Sequence, residues 1–224
     1  ILVETAISLA RTAGMHTIID VGTGSGAIAV SLAVYLKDIQ IYASDISPRA
    51  LDIARENANQ HQVDIYFAEG DLLEPFLSAK CGAGHEDKQT GLAESCLQNI
   101  DSLTDPDQET SKICQENRPL GLVDMITANL PYIPLTEMEQ IDSRVKDFEP
   151  RLALFAEGDG LEIYRRLVPQ AFSLLRPEGI LLLEIDAGQA NAIPAMMQGF
   201  TDIKIIKDLA GRERVVQARR KNDA

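Results

Sequence analysis

The segment Thr17-Ile18-Ile19-Asp20-Val21-Gly22-Thr23-Gly24-Ser25-Gly26 decides the fold class of this chain. Its apolar first half, bounded by glycines, predicts a buried strand, and the small and apolar residues from Ala27 to Leu36 predict the helix that follows. Glycines at such a turn let the backbone approach a ligand closely, and a helix N-terminus favours a negative group. The segment therefore predicts a loop that binds a nucleoside cofactor.

The same alternation of strand and helix continues on both sides of this loop. The predicted strands cover residues 17–21, 39–44, 63–67, 122–128, 180–185, 203–207 and 214–218, with helices over 1–13, 27–36, 47–59, 160–175 and 189–198. Alternating elements of this kind specify a parallel sheet covered on both faces, and the last two strands indicate a hairpin. We predict an α/β fold with a doubly wound, mainly parallel seven-stranded sheet and a C-terminal antiparallel hairpin.

One stretch interrupts the alternation. Residues 77–119 are rich in Asp, Glu, Gln, Ser and Gly and poor in large apolar side chains. Such a stretch adds little to a core and is long for a loop within a compact domain. We interpret residues 1–224 as a single domain with a polar surface insertion at 77–119, which includes a short helix near 92–100.

The net charge and the spacing of the cysteines argue against two classes of function, nucleic-acid binding and metal binding. The formal net charge is −13, whereas affinity for phosphates needs a surplus of Lys and Arg, so direct binding to nucleic acid is not expected. Three scattered cysteines and three scattered histidines form no zinc pattern, and we expect free thiols, no metal and a cytoplasmic location. No run of 18 apolar residues predicts a membrane span.

The glycine loop by itself does not identify its cofactor. Gly22, Gly24 and Ala27 also satisfy the dinucleotide-binding spacing, and Asp45 stands where a ribose-binding acid is expected. The helix would face a pyrophosphate in a nicotinamide enzyme and the methionine carboxylate in a methyltransferase. Both kinds of enzyme stay open at this point.

A second motif, Asn129-Leu130-Pro131-Tyr132, directly follows the fourth predicted strand. Ligands of doubly wound sheets bind beyond the carboxyl ends of the strands, so this motif is expected at the reactive end of the cofactor. It resembles the Asn-Pro-Pro-Tyr motif of the amino-methyltransferases, of which the adenine-amino and glutamine-amide branches share it. The resemblance implies S-adenosylmethionine as the cofactor and a class I methyltransferase fold.

The residue types of this motif suit an amide or amino acceptor. An amide nitrogen is a poor nucleophile, and two acceptors aimed at its hydrogens would orient it and stabilise its growing positive charge. The side-chain oxygen of Asn129 and the main-chain carbonyl of Leu130 can be those acceptors. Pro131 stiffens the turn, and Tyr132 offers a flat face to the planar amide.

Further motifs are similar to the HemK/PrmC family of release factor glutamine methyltransferases. They are Phe148-Glu149-Pro150 with Ala153-Leu154, Gly158-Asp159-Gly160-Leu161 with Tyr164-Arg165, Leu183-Glu184-Ile185 with Gln189, and Asp208 with Gly211 and Arg214-Val215-Val216. The opening Leu2-Val3-Glu4 resembles the family's entry into the catalytic domain, and we expect an N-terminal helical domain to be missing from the sequence. Leu130 replaces a Pro of the family pattern, and Asp186 replaces a Gly.

The resemblance implies a function and a set of site residues. It implies methylation of the glutamine in the Gly-Gly-Gln motif of a peptide chain release factor, by a monomer. The residues assigned to catalysis are Asn129, Leu130, Pro131 and Tyr132. Those assigned to cofactor binding are Asp20, Gly22, Thr23, Gly24, Gly26, Asp45, Ile46, Asp71, Leu72 and Asn129.

Three alternatives stay open. The chain could methylate a glutamine of a ribosomal protein, or the amino group of adenine in nucleic acid, or it could bind the cofactor without turnover. The adenine alternative predicts salt-sensitive binding to DNA or RNA, which the negative charge disfavours.

Overall fold

The central feature of the molecule is a seven-stranded sheet. The computed structural model describes residues 1–77, 122–131, 133–134, 155–156 and 160–222. The strands of this sheet are β1 (Thr17–Val21), β2 (Gln40–Asp45), β3 (Tyr66–Glu69), β4 (Val123–Ala128), β7 (Leu175–Glu184), β8 (Phe200–Lys207) and β9 (Glu213–Arg220). Their order in the sheet is β3-β2-β1-β4-β7-β9-β8. β1, β2, β3, β4 and β7 are parallel, and β9 pairs antiparallel with both β7 and β8. The predicted fold class is confirmed.

Helices cover both faces of the sheet. They are α1 (Leu2–Ala13), α2 (Ala27–Tyr35), α3 (Pro48–Gln60), α4 (Glu74–Leu77), α5 (Glu162–Leu174) and α6 (Ala192–Met196), with a 3-10 turn at Ala187–Gln189. α1 and α2 pack in one apolar cluster, and α4, α5 and α6 contribute to a second. β4 lies between the two clusters, and all six of its residues are buried.

The local sequence explains where the helices begin and end. Ser47 caps α3 by accepting the N–H of Ala50 at 3.3 Å, and Pro48 occupies the first turn, where its missing N–H costs nothing. Gly14 ends α1 in a left-handed conformation. The buried side of α1 consists of Leu2, Ala6 and Ala10, spaced four residues apart.

Several predicted boundaries differ from the observed ones. β3 begins at Tyr66 rather than at residue 63, and β7 begins at Leu175 rather than at 180, through a register irregularity opposite β4. The helix predicted over 189–198 is replaced by the 3-10 turn and the short α6. Asp186 caps the 3-10 turn, because its carboxylate accepts the N–H of Gly188 at 2.9 Å.

A small second sheet was not predicted: β5 (Ile133–Pro134) pairs in parallel with β6 (Phe155–Ala156). The predicted insertion, apart from Leu77, lies outside the described residues, as do its short helix and Tyr132. In the part of the chain that the structure describes, no helix has the length and apolar character needed to cross a bilayer.

Candidate active site

The glycine loop connects β1 to α2 at the carboxyl edge of the parallel strands. Gly22 has a φ of +65°, in the left-handed region that favours glycine. A β-carbon at Gly22 would lie 2.5 Å from Cδ2 of Leu130, so the loop also needs glycine there for packing. Gly26 immediately precedes α2. The predicted turn is therefore present, with its backbone close to the motif that follows β4.

Asp45 lies at the end of β2 and is fixed by two backbone groups. Its Oδ2 accepts the N–H of Gly24 at 2.8 Å, and its Oδ1 accepts the N–H of Ser47 at 2.9 Å. The N–H of Thr23 donates to the carbonyl of Ser44 at 3.0 Å, which holds the loop against β2. A carboxylate oxygen can accept more than one hydrogen bond, so Asp45 retains capacity for two ribose hydroxyls.

Asp20 is a buried carboxylate beneath the loop. It is 0% exposed, and its oxygens accept the hydroxyls of Thr23 at 2.7 Å and Thr127 at 2.9 Å. Burial raises the pKa of Asp20 from 3.8 to about 6, although the bonds from Thr23, Thr127 and the backbone of Ala29 act in the opposite direction. The side chain thus ties β1, β4 and the loop together rather than facing solvent.

The motif Asn129-Leu130-Pro131-Tyr132, called the acceptor motif below after the role predicted for it, begins at the end of β4. Asn129 is exposed, Leu130 is only 3% exposed, and Pro131 is half-buried. The pairing of Ala128 with Leu183 places the end of β4 beside the end of β7, where Glu184 lies. Burial raises the pKa of Glu184, and the charge of Arg214 partly offsets that effect. Because β4 lies between β1 and β7, Asn129 and the glycine loop are at the same edge of the sheet, and the side-chain amide of Asn129 is exposed there.

Three further predicted cofactor residues, Ile46, Asp71 and Leu72, lie near Asp45. Ile46 follows it in the chain and is 64% exposed, which is high for an isoleucine beside a folded loop. The loop after β3, which contains Asp71 and Leu72, is joined to Asp45 because the N–H of Gly70 donates to the Asp45 carbonyl at 3.0 Å. All the predicted cofactor residues thus lie along the carboxyl edge of β1, β2, β3 and β4.

The downstream motif residues that the structure describes build a framework around the end of β7. The hydroxyl of Tyr164 donates to the carbonyl of Glu184 at 2.7 Å, and the amide nitrogen of Gln189 donates to the carbonyl of Gly160 at 3.0 Å. Arg214 pairs with Asp186 at 3.6 Å and with Asp208 at 3.5 Å. These side chains position the backbone beside the site.

Sequence reasoning did not single out Ser44, Thr127, Arg166 or Gln170. Ser44 and Thr127 are buried polar residues in strands, and each uses its hydroxyl to fix a neighbouring loop or carboxylate. For Ser44 and Thr127 the sequence did carry a signal, namely a polar residue within an otherwise apolar strand. Arg166 and Gln170 lie on an amphipathic helix, where polar residues are ordinary, so the sequence carried no signal for them.

Comparison with known proteins shows which proteins this chain resembles. Residues 4–82 match the model of the methyltransferase small domain, a span that holds the glycine loop, Asp45 and Asp71. The chain is 33% identical over 228 residues to the release factor glutamine methyltransferase of Moorella thermoacetica, covering 100% of the chain and 65% of that protein. For the corresponding protein of Koribacter versatilis the identity is 32%, covering 98% of the chain and 64% of the relative. The predicted resemblance to the release factor glutamine methyltransferases is confirmed.

Solved structures show the same fold at lower identity. The ribosomal protein L11 methylase of Lactobacillus delbrueckii subsp. bulgaricus superposes with a TM-score of 0.56 at 22% identity, covering 99% of this chain and 78% of that one. A methyltransferase of Pyrococcus furiosus gives a TM-score of 0.55 at 15% identity, over 99% and 83% of the two chains. The class I methyltransferase fold is thus confirmed. The chain spans just under two thirds of the length of the curated relatives named above.

The residues present fit S-adenosylmethionine, the cofactor that the methyltransferase match implies, and the prediction of that cofactor is confirmed. At Gly24 no atom lies within 4 Å of a would-be β-carbon, so the loop is open to a ligand there, while the carboxylate of Asp45 suits ribose hydroxyls and the exposed face of Ile46 suits a flat base. Among the described residues, no group of three His, Cys, Asp or Glu could hold a metal ion.

Proposed function

We propose that this chain transfers the methyl group of S-adenosylmethionine to the side-chain amide nitrogen of a protein glutamine, in the Gly-Gly-Gln motif of a peptide chain release factor. The observation that carries the proposal is the contact between the two halves of the site. Leu130, the second residue of the acceptor motif, packs on Gly22 of the cofactor loop. The exposed amide of Asn129 therefore lies next to the loop in which the cofactor would bind.

Cofactor binding would use the carboxyl edge of the first three strands. Asp45 would accept the ribose hydroxyls, Ile46 would cover one face of the adenine, and Asp71 and Leu72 would line its edge. The N-terminus of α2, reached through Thr23, Gly24 and Gly26, would face the methionine carboxylate. Asp20 is too deeply buried for direct contact, so its part is to hold Thr23 and the loop in place.

The chemical step would depend on orientation and charge rather than on a strong base. The cofactor supplies an electrophilic methyl group when bound. The side-chain oxygen of Asn129 and the carbonyl of Leu130 would accept the two amide hydrogens of the substrate and hold its nitrogen in line with that methyl group. The same oxygens would stabilise the positive charge that develops on the nitrogen. Methyl transfer would leave S-adenosylhomocysteine as the second product, and the extra proton on the amide nitrogen would pass to water.

The acidic charge and the names of the relatives support the proposed substrate class. A net charge of −13 opposes binding to a polyanion, which favours a protein acceptor over DNA or RNA. The relatives from Moorella thermoacetica and Koribacter versatilis are release factor glutamine methyltransferases. We further propose that residues 1–224 form one methyltransferase domain with a surface insertion at 77–119, and that the protein acts as a monomer in the cytoplasm.

The test is direct transfer of a labelled methyl group. Purified chain, cofactor and a purified release factor are incubated, and the peptide that contains Gly-Gly-Gln is analysed by mass spectrometry. One added methyl group on the glutamine is expected, with none when that glutamine is replaced by alanine. A ribosomal protein mixture and a DNA fragment serve as competing acceptors. Cofactor binding without methylation of the release factor would overturn the proposed substrate.

A further inference from the structure

The loop after β3 contains a residue in a conformation that is unfavourable for its type. Leu72 has a φ of +52°, in the left-handed region where a β-carbon meets the backbone. It lies at the carboxyl edge of the sheet, two residues after Gly70, whose N–H is bonded to Asp45. A backbone of this kind persists only where the surrounding structure holds it.

Three contacts hold this loop, one for each of its residues from 71 to 73. The hydroxyl of the buried Ser44 donates to the carbonyl of Leu72 at 2.7 Å. The N–H of Leu73 donates to Oε1 of Gln170 at 2.9 Å. The carboxylate of Asp71 forms an ion pair with the guanidinium of Arg166. The conformation of Leu72 is thus fixed on both sides by partners outside the loop.

Two of the three contacts come from one face of α5. Arg166 and Gln170 are four residues apart, so their side chains lie one above the other on the helix. The adjoining face of α5 is anchored in the core by Leu167 and Ala171, each 0% exposed, and Leu174, one turn after Gln170, is buried as well. Because the helix is rigidly packed, it can hold the loop at a defined distance from the strand ends.

We propose that Arg166 and Gln170 are positioning residues for adenine recognition: they hold residues 71–73 so that Asp71 and Leu72 present their polar atoms to the adenine edge. This inference rests on the proposed function. The ion pair engages Oδ2 of Asp71, and Oδ1 can accept a hydrogen bond from the exocyclic amino group of adenine. Hypoxanthine carries a carbonyl oxygen at that position, which a carboxylate repels. The loop therefore distinguishes amino from carbonyl substituents on the purine.

The experiment measures the affinity for S-adenosylhomocysteine and for its analogue with hypoxanthine in place of adenine, by titration calorimetry. The wild type is expected to bind the adenine ligand roughly 10-fold or more tightly than the hypoxanthine ligand. Adenine gains a hydrogen bond to Asp71, whereas hypoxanthine leaves Oδ1 of that carboxylate unpaired. Gln170→Ala and Arg166→Ala are each expected to weaken adenine binding about 5- to 10-fold and to reduce the preference. Gln170→Glu keeps an acceptor oxygen for the N–H of Leu73 and should restore most of the preference.

Arg165→Ala is the matched control, because Arg165 is a neighbouring exposed arginine of the same helix that pairs with Glu162 at 3.2 Å. It should leave both affinities unchanged. Equal preference in Gln170→Ala, Arg166→Ala and wild type would overturn the positioning role, even if a variant melts at a lower temperature. A wild type that binds neither ligand would instead contradict the proposed function.

Discussion

The side chain of Leu130 packs directly against Gly22, so the acceptor motif and the glycine loop are in contact. A β-carbon at Gly22 would approach Cδ2 of Leu130 to 2.5 Å. Leu130 itself belongs to the apolar core and is 3% exposed. The buried side chain of Leu130 thus connects the turn after β4 to the core. The family pattern that the sequence resembles has a proline at this position.

The first prediction concerns this contact. Gly22→Ala should destabilise the protein by roughly 2–5 kcal/mol, since it adds a steric clash to the cost of a side chain at positive φ. Gly24→Ala is the matched control: Gly24 has a φ of +57° but nothing within 4 Å of its would-be β-carbon, so only the conformational cost applies. Urea unfolding of the cofactor-free protein measures both changes.

Combining Gly22→Ala with Leu130→Ala isolates the steric part. The double variant should be more stable than the sum of the two single losses indicates, because the shortened side chain removes the clashing atom. Simple additivity of the two losses, or equal losses for the alanines at Gly22 and Gly24, would show that the contact is unimportant.

The second prediction concerns Asn129. Replacing it with alanine should lower the turnover of release factor methylation on the order of 100-fold, because one of two acceptors for the amide hydrogens is lost. The free energy of unfolding should change by less than about 0.5 kcal/mol, since the residue is exposed. Asn129→Asp keeps an acceptor oxygen and should retain more activity than Asn129→Ala. Activity of Asn129→Ala near the wild-type level would rule out the proposed acceptor geometry.

The third prediction is a pH dependence from Asp20. Its pKa is raised by burial from 3.8 to about 6, so the folded state holds the proton more tightly than the unfolded state does. The stability of the wild type should therefore fall as the pH rises from 4 through 6, with a total effect of roughly 2–3 kcal/mol at about 1.4 kcal/mol per pKa unit. Asp20→Asn removes the titrating group.

Chemical denaturation at pH 4.5 and pH 7.5 tests this prediction. Between the two pH values the unfolding free energy should fall less in Asp20→Asn than in the wild type, whatever the absolute stability of the variant; the raised pKa of Glu184 adds the same trend to both proteins. Asp38→Asn, at an exposed position, serves as the control and should keep the wild-type difference. An identical pH dependence in Asp20→Asn and wild type would contradict the assignment.

The fourth prediction concerns Asp124, at the amino end of β4 and away from the site. Its Oδ2 accepts the N–H groups of His16 at 2.7 Å and Thr17 at 2.9 Å, and its Oδ1 pairs with Arg176. Burial by itself would raise the pKa of Asp124, but these partners outweigh it and hold the pKa below its ordinary value. The stabilisation is therefore present at neutral pH and is lost as the pH falls below 3.8.

Asp124→Ala should cost about 2–4 kcal/mol at pH 7, because two backbone donors and a guanidinium lose their partner. Its affinity for S-adenosylhomocysteine should stay within about 2-fold of wild type, since the residue lies at the opposite end of the strands from the glycine loop. Urea denaturation and calorimetry measure the two quantities. A large loss of affinity in a folded Asp124→Ala protein would show that the two edges of the sheet are coupled.

The sequence by itself determined the fold class, the succession of the main strands and helices along the chain, and the position of the glycine loop. These features depend on local periodicity and on turn residues such as the glycines at 22, 24 and 26, which act over a few neighbouring positions. The acceptor motif was equally local, because Asn129 directly follows a run of buried strand residues. The boundary errors at β3 and β7 came from contacts outside the local pattern, such as the pairing of Leu175 with Val123.

Only the tertiary structure decided how these pieces contact one another. The packing of Leu130 on Gly22 joins residues more than a hundred positions apart, and Arg166 reaches Asp71 across a similar separation. Asp20, assigned to the cofactor from the sequence, is fully buried and accepts hydrogen bonds from Thr23 and Thr127, a contact that only the tertiary structure shows. Such contacts depend on the order of the strands in the sheet and on the packing of side chains between the elements. No local pattern of residues encodes either.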